Sequence, residues 1–250
     1  MTPLVLASLL AAAPAGAPRD ELRVGLAWRL WGRNLQLHGV DARYVPGLSV
    51  GTLPSGAVLD AQWFPAAHFV DDWRADFGVT LRADFAPAFT AWLGDARFDG
   101  HAARLRTGVM YRFPMRYLEP SVHLGFHTFD AGLAPGGTDA APRPLLANVT
   151  LQGPRLGVAA RLLEFWRITF DVAVGVVWVV STGELGAPAF FPGARGAAWD
   201  ANLGLAFRTW RWLDLRLGVD VTSHELELGP GARASDTFYG VSFGFVFKGS

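Results

Sequence analysis

The chain has 250 residues, 22 basic and 22 acidic side chains, and no cysteine; 51% of it is hydrophobic and only 18% charged. Soluble domains carry about a quarter charged residues, so the balance is apolar for a protein in water, and zero net charge with scattered arginines excludes an electrostatic surface for nucleic acid. The lack of cysteine rules out disulfides, thiolate metal sites, a thiol nucleophile and a lipid-modified cysteine.

Met1 to Ala13 (MTPLVLASLLAAA) is apolar over a signal-peptide length and then breaks into small residues and prolines. Its n-region offers only the terminal amine as a positive charge. The expected division is a signal peptide over 1–15 (cleavage as late as Ala17 is the alternative), a single body over 16–247, and a short tail over 248–250. No later segment is a membrane helix: the longest apolar run, Val172 to Val180, is roughly half of what a spanning helix needs.

From Glu21 onward the dominant period is two. A membrane strand takes about 9–11 residues with apolar side chains toward lipid and small or polar ones toward the lumen, and that alternation occurs ten times. The first strand sets Leu22, Val24, Leu26, Trp28 and Leu30 against Arg23, Gly25, Ala27 and Arg29; the second, weaker, sets Ala57, Leu59, Ala61 and Trp63 against Val58, Asp60 and Gln62. The third runs from Ala75 to Phe85 and the fourth from Ala103 to Phe113, each with Arg, Asp, Thr or Gly on its second face. The fifth places His123, Gly125 and His127 opposite Val122, Leu124 and Phe126. The sixth (Arg155–Leu162), seventh (Ile168–Trp178), eighth (Trp199–Arg208), ninth (Leu213–Thr222) and tenth (Phe238–Phe247) repeat the pattern.

The connections alternate in length. Ala86–Ala102, Phe129–Gly153, Val179–Ala198 and Ser223–Asp236 read as long loops rich in Gly, Pro, Asp and Ala; Pro114–Tyr117, Leu163–Arg167 and Thr209–Trp212 read as short turns, with Phe64–Arg74 somewhat longer. Short turns on one side and long loops on the other are the asymmetry of outer-membrane barrels. Aromatics collect at the short turns (Phe113, Tyr117, Phe165, Trp166, Trp210, Trp212), as a headgroup-level girdle requires. The C-terminal stretch Phe238 to Phe247, with Gly240, Phe243, Phe245 and Phe247, resembles the terminal-strand signal of outer-membrane proteins, although Lys248, Gly249 and Ser250 follow its last aromatic.

From Glu21 to Phe247 the chain therefore resembles the small bacterial outer-membrane β-barrel proteins as a broad class: all-β, antiparallel, about ten strands with eight to twelve as bounds. That resemblance implies an outer-membrane location, insertion by the barrel-assembly machinery and contact with outer-membrane lipid; a monomer with no cofactor and no metal is expected. Barrels near this size have interiors filled by side chains rather than an aqueous channel. The expected lumen charges are Asp76, Arg82, Asp84, Arg104, Arg106, Arg155, Arg161, Asp171, Asp200, Arg208, Asp214, Arg216 and Asp220. Buried charge must be paired, so a salt-bridged plug or a very narrow polar pore follows. Inward glycines on nearly every strand leave space for long arginines inside a tightly curved sheet.

No phosphate loop, zinc spacing or nucleotide motif is present. Ten-stranded barrels include the omptin proteases, with Asp and His on the extracellular rim. The nearest constellation here is Asp220, Ser223, His224 and Glu225, without a second matching acidic pair. His123 and His127, four residues apart on one strand face, lie roughly 13 Å apart, too far for one metal. The expectation is a non-enzymatic barrel with a structural, narrow-pore or loop-binding role. A rim-site hydrolase acting on peptide or lipid and a soluble lipocalin-like carrier are the alternatives.

Overall fold

A computed structural model describes residues 21–40, 48–50, 55–93, 96–115, 117–135 and 148–249; the expected signal peptide and the site of its cleavage lie outside them. The described residues form β1 (Leu22–His38), β2 (Leu48–Val50), β3 (Ser55–Trp63), β4 (Phe77–Leu93), β5 (Ala96–Arg112), β6 (Leu118–Pro135), β7 (Val149–Phe165), β8 (Ile168–Val179), β9 (Arg195–Trp210), β10 (Leu213–Gly229) and β11 (Ala232–Gly249). All pairs are antiparallel; they join sequence neighbours except β1 with β3, β2 with β4 and the closing pair, β1 with β11, which runs in register from Leu22 opposite Gly249 to His38 opposite Arg233. The short β2 and the longer β3 both pair with β4, so they fill one position and the barrel has ten. The β1–β11 pairing closes the sheet on itself, the condition for placing a sheet in lipid.

The side chains show which solvent surrounds the barrel. In a soluble sandwich the apolar face is buried. Here it is the exposed one: Trp28 (59%), Leu124 (59%), Leu203 (53%) and Phe243 (52%) all stand outward. The opposite faces hold fully buried Arg29, Asp84 and Arg112. This inversion is that of a membrane-spanning barrel and removes the lipocalin-like alternative. Within the belt the inward and outward assignments made from the period-two pattern agree with the burial of the described side chains; the exceptions, Ala75, Arg208 and Leu213, lie at strand ends on the short-turn side, where Ala75 and Leu213 are buried and Arg208 is exposed.

An aromatic band marks the short-turn end. Trp210 and Trp212 stack at 5.9 Å between centroids, Trp212 and Phe247 at 6.2 Å, and Phe77, Tyr111 and Phe113 follow at 4.7 and 4.8 Å. Trp166 is exposed in the two-residue turn between β7 and β8, a position with left-handed backbone shared with Arg167; the side chain of Phe165 lies outside the described set. The longer connection, 64–76, folds under the barrel. Phe64 is fully buried with the Arg112 guanidinium 3.7 Å above its ring. Gly78 makes room for it, since a Cβ there would lie 2.8 Å from the Phe64 ring. Asp72 caps the turn by accepting from the Arg74 backbone and guanidinium, contacts that hold its carboxyl below the usual carboxylate range.

At the other end the structure corrects the loop assignment. Ala86–Ala102 is a hairpin whose strands continue to Leu93 and from Ala96, and Ser223–Asp236 continues to Gly229 and from Ala232. Phe129–Gly153 likewise surrenders its ends to β6 and β7; only Val179–Ala198 keeps most of its length, as the connection between β8 and β9. Strands of 17 or 18 residues exceed the roughly 10 that cross a bilayer, so the barrel wall stands well beyond the membrane on this side. The 248–250 tail is corrected too. Lys248 and Gly249 belong to β11, and Lys248 points inward, 2.9 Å from Asp214.

Candidate functional site

Among the described residues the lumen is arranged in three storeys, two charged and one apolar. The central one is built on two carboxylates. Asp84, on β4, lies 3.3 Å from Arg29 of β1, 3.5 Å from Arg82 and 2.5 Å from Arg104 of β5. Asp220, on β10, takes Arg29 as well, with Arg104 at 3.2 Å and Arg82 at 3.6 Å. Thr222 accepts from Arg104 and Arg106. Beside this knot Asp200 receives both forks of Arg155 at 2.8 Å and faces Arg106 at 3.2 Å. Gly240 and Gly175 make the packing possible: a Cβ at either would fall 2.3 Å from the guanidinium of Arg29 or Arg155.

Toward the short-turn end Arg161 bridges Asp171 (2.6 Å) and Glu119 (3.1 Å), and Arg23 meets Glu119 at 3.3 Å. Arg112 meets Asp76 at 3.1 Å, and Arg216 is 4.0 Å from Asp171. Arg208, expected in the lumen, is exposed at the barrel's end, opposite Asp214 in the register. The remaining expected charges all take part in the pairs above. Arg29 and Arg112, inward by the alternation of their strands, join the expected charges, while Glu119 and Asp236 lie outside the expected strands. The parity rule alone would have added Glu119, which shares the inward face of Ser121 and His123.

The third storey, on the long-strand side, is apolar. Trp31, Phe129, Leu151, Leu226, Leu228 and Phe238 form a buried cluster. Leu185 reaches it from the 3-10 turn Gly183–Gly186 of the β8–β9 connection, and Phe190 and Phe191 pack against it. Arg29 lies 4.3 Å over Trp31, joining this core to the charged storey beneath it. Arg33 and Asp236 close the side with a two-pronged pair at 2.7–2.8 Å.

The rim constellation does not assemble. His224 points inward and is fully buried, stacked on Phe129 at 4.9 Å, with Asp236 O at 3.3 Å from Nδ1. Ser223 points the other way, hydrogen-bonded to Thr237 at 2.9 Å and to Glu225 at 3.2 Å. Adjacent residues of a strand face opposite sides, so this serine cannot be activated by this histidine. His123 meets Ser121 at 2.9 Å and His127 meets Arg106 at 3.4 Å. Among the described residues no group of three or more His, Asp or Glu is placed to hold a metal ion.

No family model matches the chain, and no curated protein matches it. Among solved structures it is similar to the outer membrane protease OmpT from Escherichia coli, with TM-score 0.60 and 6% identity over 94% of this chain and 100% of that one. It also aligns with the outer membrane protein OprG from Pseudomonas aeruginosa at TM-score 0.40 and 11% identity, covering 95% of this chain and 99% of that one. The first likeness establishes the fold as that of the bacterial outer-membrane β-barrels. Fold and apolar belt agree on a bacterial outer membrane as the chain's location, and the short turns lie at the same end of the barrel as the start of β1 and the end of β11.

Proposed function

We propose that the protein is a sealed, non-enzymatic outer-membrane barrel: a structural element that carries a stiff extracellular head and conducts no solute. The observation that supports this most is the stacking of two different seals. Apolar Trp31, Phe129, Leu226 and Phe238 fill the extracellular half, and the Asp84–Asp220 knot fills the level below, with Arg29, Asp84 and Arg104 at most 2% exposed. A hydrated path would have to break both. Hydrolysis would need a nucleophile or an activated water beside a base, and the Ser223–His224 pair has its members on opposite faces of β10. The likeness to a protease is therefore a likeness of fold, which hosts many functions. In this reading the protein acts as a monomer, is inserted by the barrel-assembly machinery through β11, and meets partners at its extracellular head.

Purified barrel reconstituted into planar bilayers is expected to give no unitary conductance steps. Reproducible steps from folded protein would refute the sealed-barrel reading in favour of a narrow pore.

A further inference from the structure

Below the central knot the lumen holds a cavity of about 130 Å³, room for several waters at about 30 Å³ each or for one small ion with its oxygens. We propose that this cavity is a binding site for a small oxyanion, an inorganic phosphate or a short carboxylate, entering from the periplasm.

Its wall carries five guanidiniums, Arg82, Arg106, Arg155, Arg161 and Arg216. The carboxylates facing them are fewer, and most are shared. Asp200 serves both Arg155 and Arg106. Asp171 serves Arg161 at 2.6 Å and Arg216 only at 4.0 Å, while Glu119 divides itself between Arg161 and Arg23. Arg82 faces Asp60 at 3.8 Å and the knot carboxylates Asp84 and Asp220 at 3.5 and 3.6 Å, but those two are each shared with Arg29 and Arg104. Positive charge is thus in excess around a water-sized space inside a low-dielectric wall, where unneutralised charge is costly. Arg216 has the longest of these contacts, and its guanidinium rests against Gly204, where a Cβ would be 3.0 Å away. A planar guanidinium facing open space matches the two oxygens of a phosphate or carboxylate. Ser121 adds a hydroxyl to the same wall. The storeys above are closed, which leaves the short-turn end as the way in.

The site goes beyond the sealed-barrel reading and fails separately from it: conductance refutes the one, lack of binding the other. The experiment is calorimetric titration of the folded protein in detergent, with inorganic phosphate and separately with acetate. Saturable binding of at least one anion is expected, weakened about tenfold by Arg216→Gln, the loss of one charge-assisted contact. Ala173→Leu, which fills the cavity without altering charge, should abolish it, and Arg195→Gln on the outer surface should leave it unchanged. No saturable heat with either anion, or undiminished affinity in both cavity variants, would overturn the proposal. Should Arg216→Gln fail to fold, Ala173→Leu decides alone.

Discussion

Asp84→Ala is expected to destabilise the barrel by about 3–5 kcal/mol, the cost of removing one partner from a buried ionic cluster. Asp84 is fully buried and faces three guanidiniums, Arg29, Arg82 and Arg104. Without it the three share Asp220, with Asp60 3.8 Å from Arg82 alone, and their mutual repulsion is far less offset in a space that water barely reaches. The contrast is Arg195→Ala. That arginine pairs with Glu227 at 2.9 Å, yet the two side chains are 80% and 55% exposed, and a surface pair of this kind contributes about 0–1 kcal/mol. Urea titration of the barrel in lipid vesicles, read as the fraction migrating at the folded position on unheated gels, measures both. Equal midpoints for the two variants would show that the knot does not hold the lumen together.

Phe129→Ala is expected to cost a similar amount, about 3–5 kcal/mol, by leaving a cavity in a packed core. Phe129 touches His224 (4.9 Å) and Phe238 (4.6 Å) and is almost fully buried. The second half of this prediction separates stability from sealing. Because the charged storey lies beneath the apolar one, Phe129→Ala should lower the urea midpoint while its bilayer recordings stay silent. Conductance from this variant would mean that the apolar cluster alone closes the barrel.

The wall of the barrel was legible in the sequence because the bilayer imposes one rule on every strand it contains. Between Trp28 and Leu22, or Tyr239 and Phe247, lipid on one side and lumen on the other force a strict period of two. Beyond the belt that rule lapses. Ala86–Ala102 read as a loop because it is rich in Ala, Gly and Asp, and because the register shifts between Ala86 and Phe89. Pro87 sits within that irregularity, where a missing N–H is tolerated. The shift carries Phe89 into the interior, against Gly100, and so breaks the alternation that would have revealed the strand.

The lumen was half legible. Pairs between adjacent strands, such as Arg104 with Asp84 and Arg112 with Asp76, follow from parity and neighbourhood. Arg29 with Asp84 and Arg104 with Asp220 reach across the lumen, and only the closed, tilted barrel sets which residues share a height. The same holds for Ser223 and His224. Adjacency in sequence suggested chemistry, whereas strand geometry sends the two side chains to opposite faces.

The central claim, a lumen open to the periplasm at one level and sealed above it, is tested most directly by one-sided labelling. The chain has no cysteine, so Ala173→Cys puts a single thiol on the cavity wall. A membrane-impermeant maleimide should leave this thiol unmodified in intact cells and modify it once the periplasm is opened. Labelling of Cys-substituted protein from outside intact cells, at the rate seen after opening, would contradict the sealed barrel.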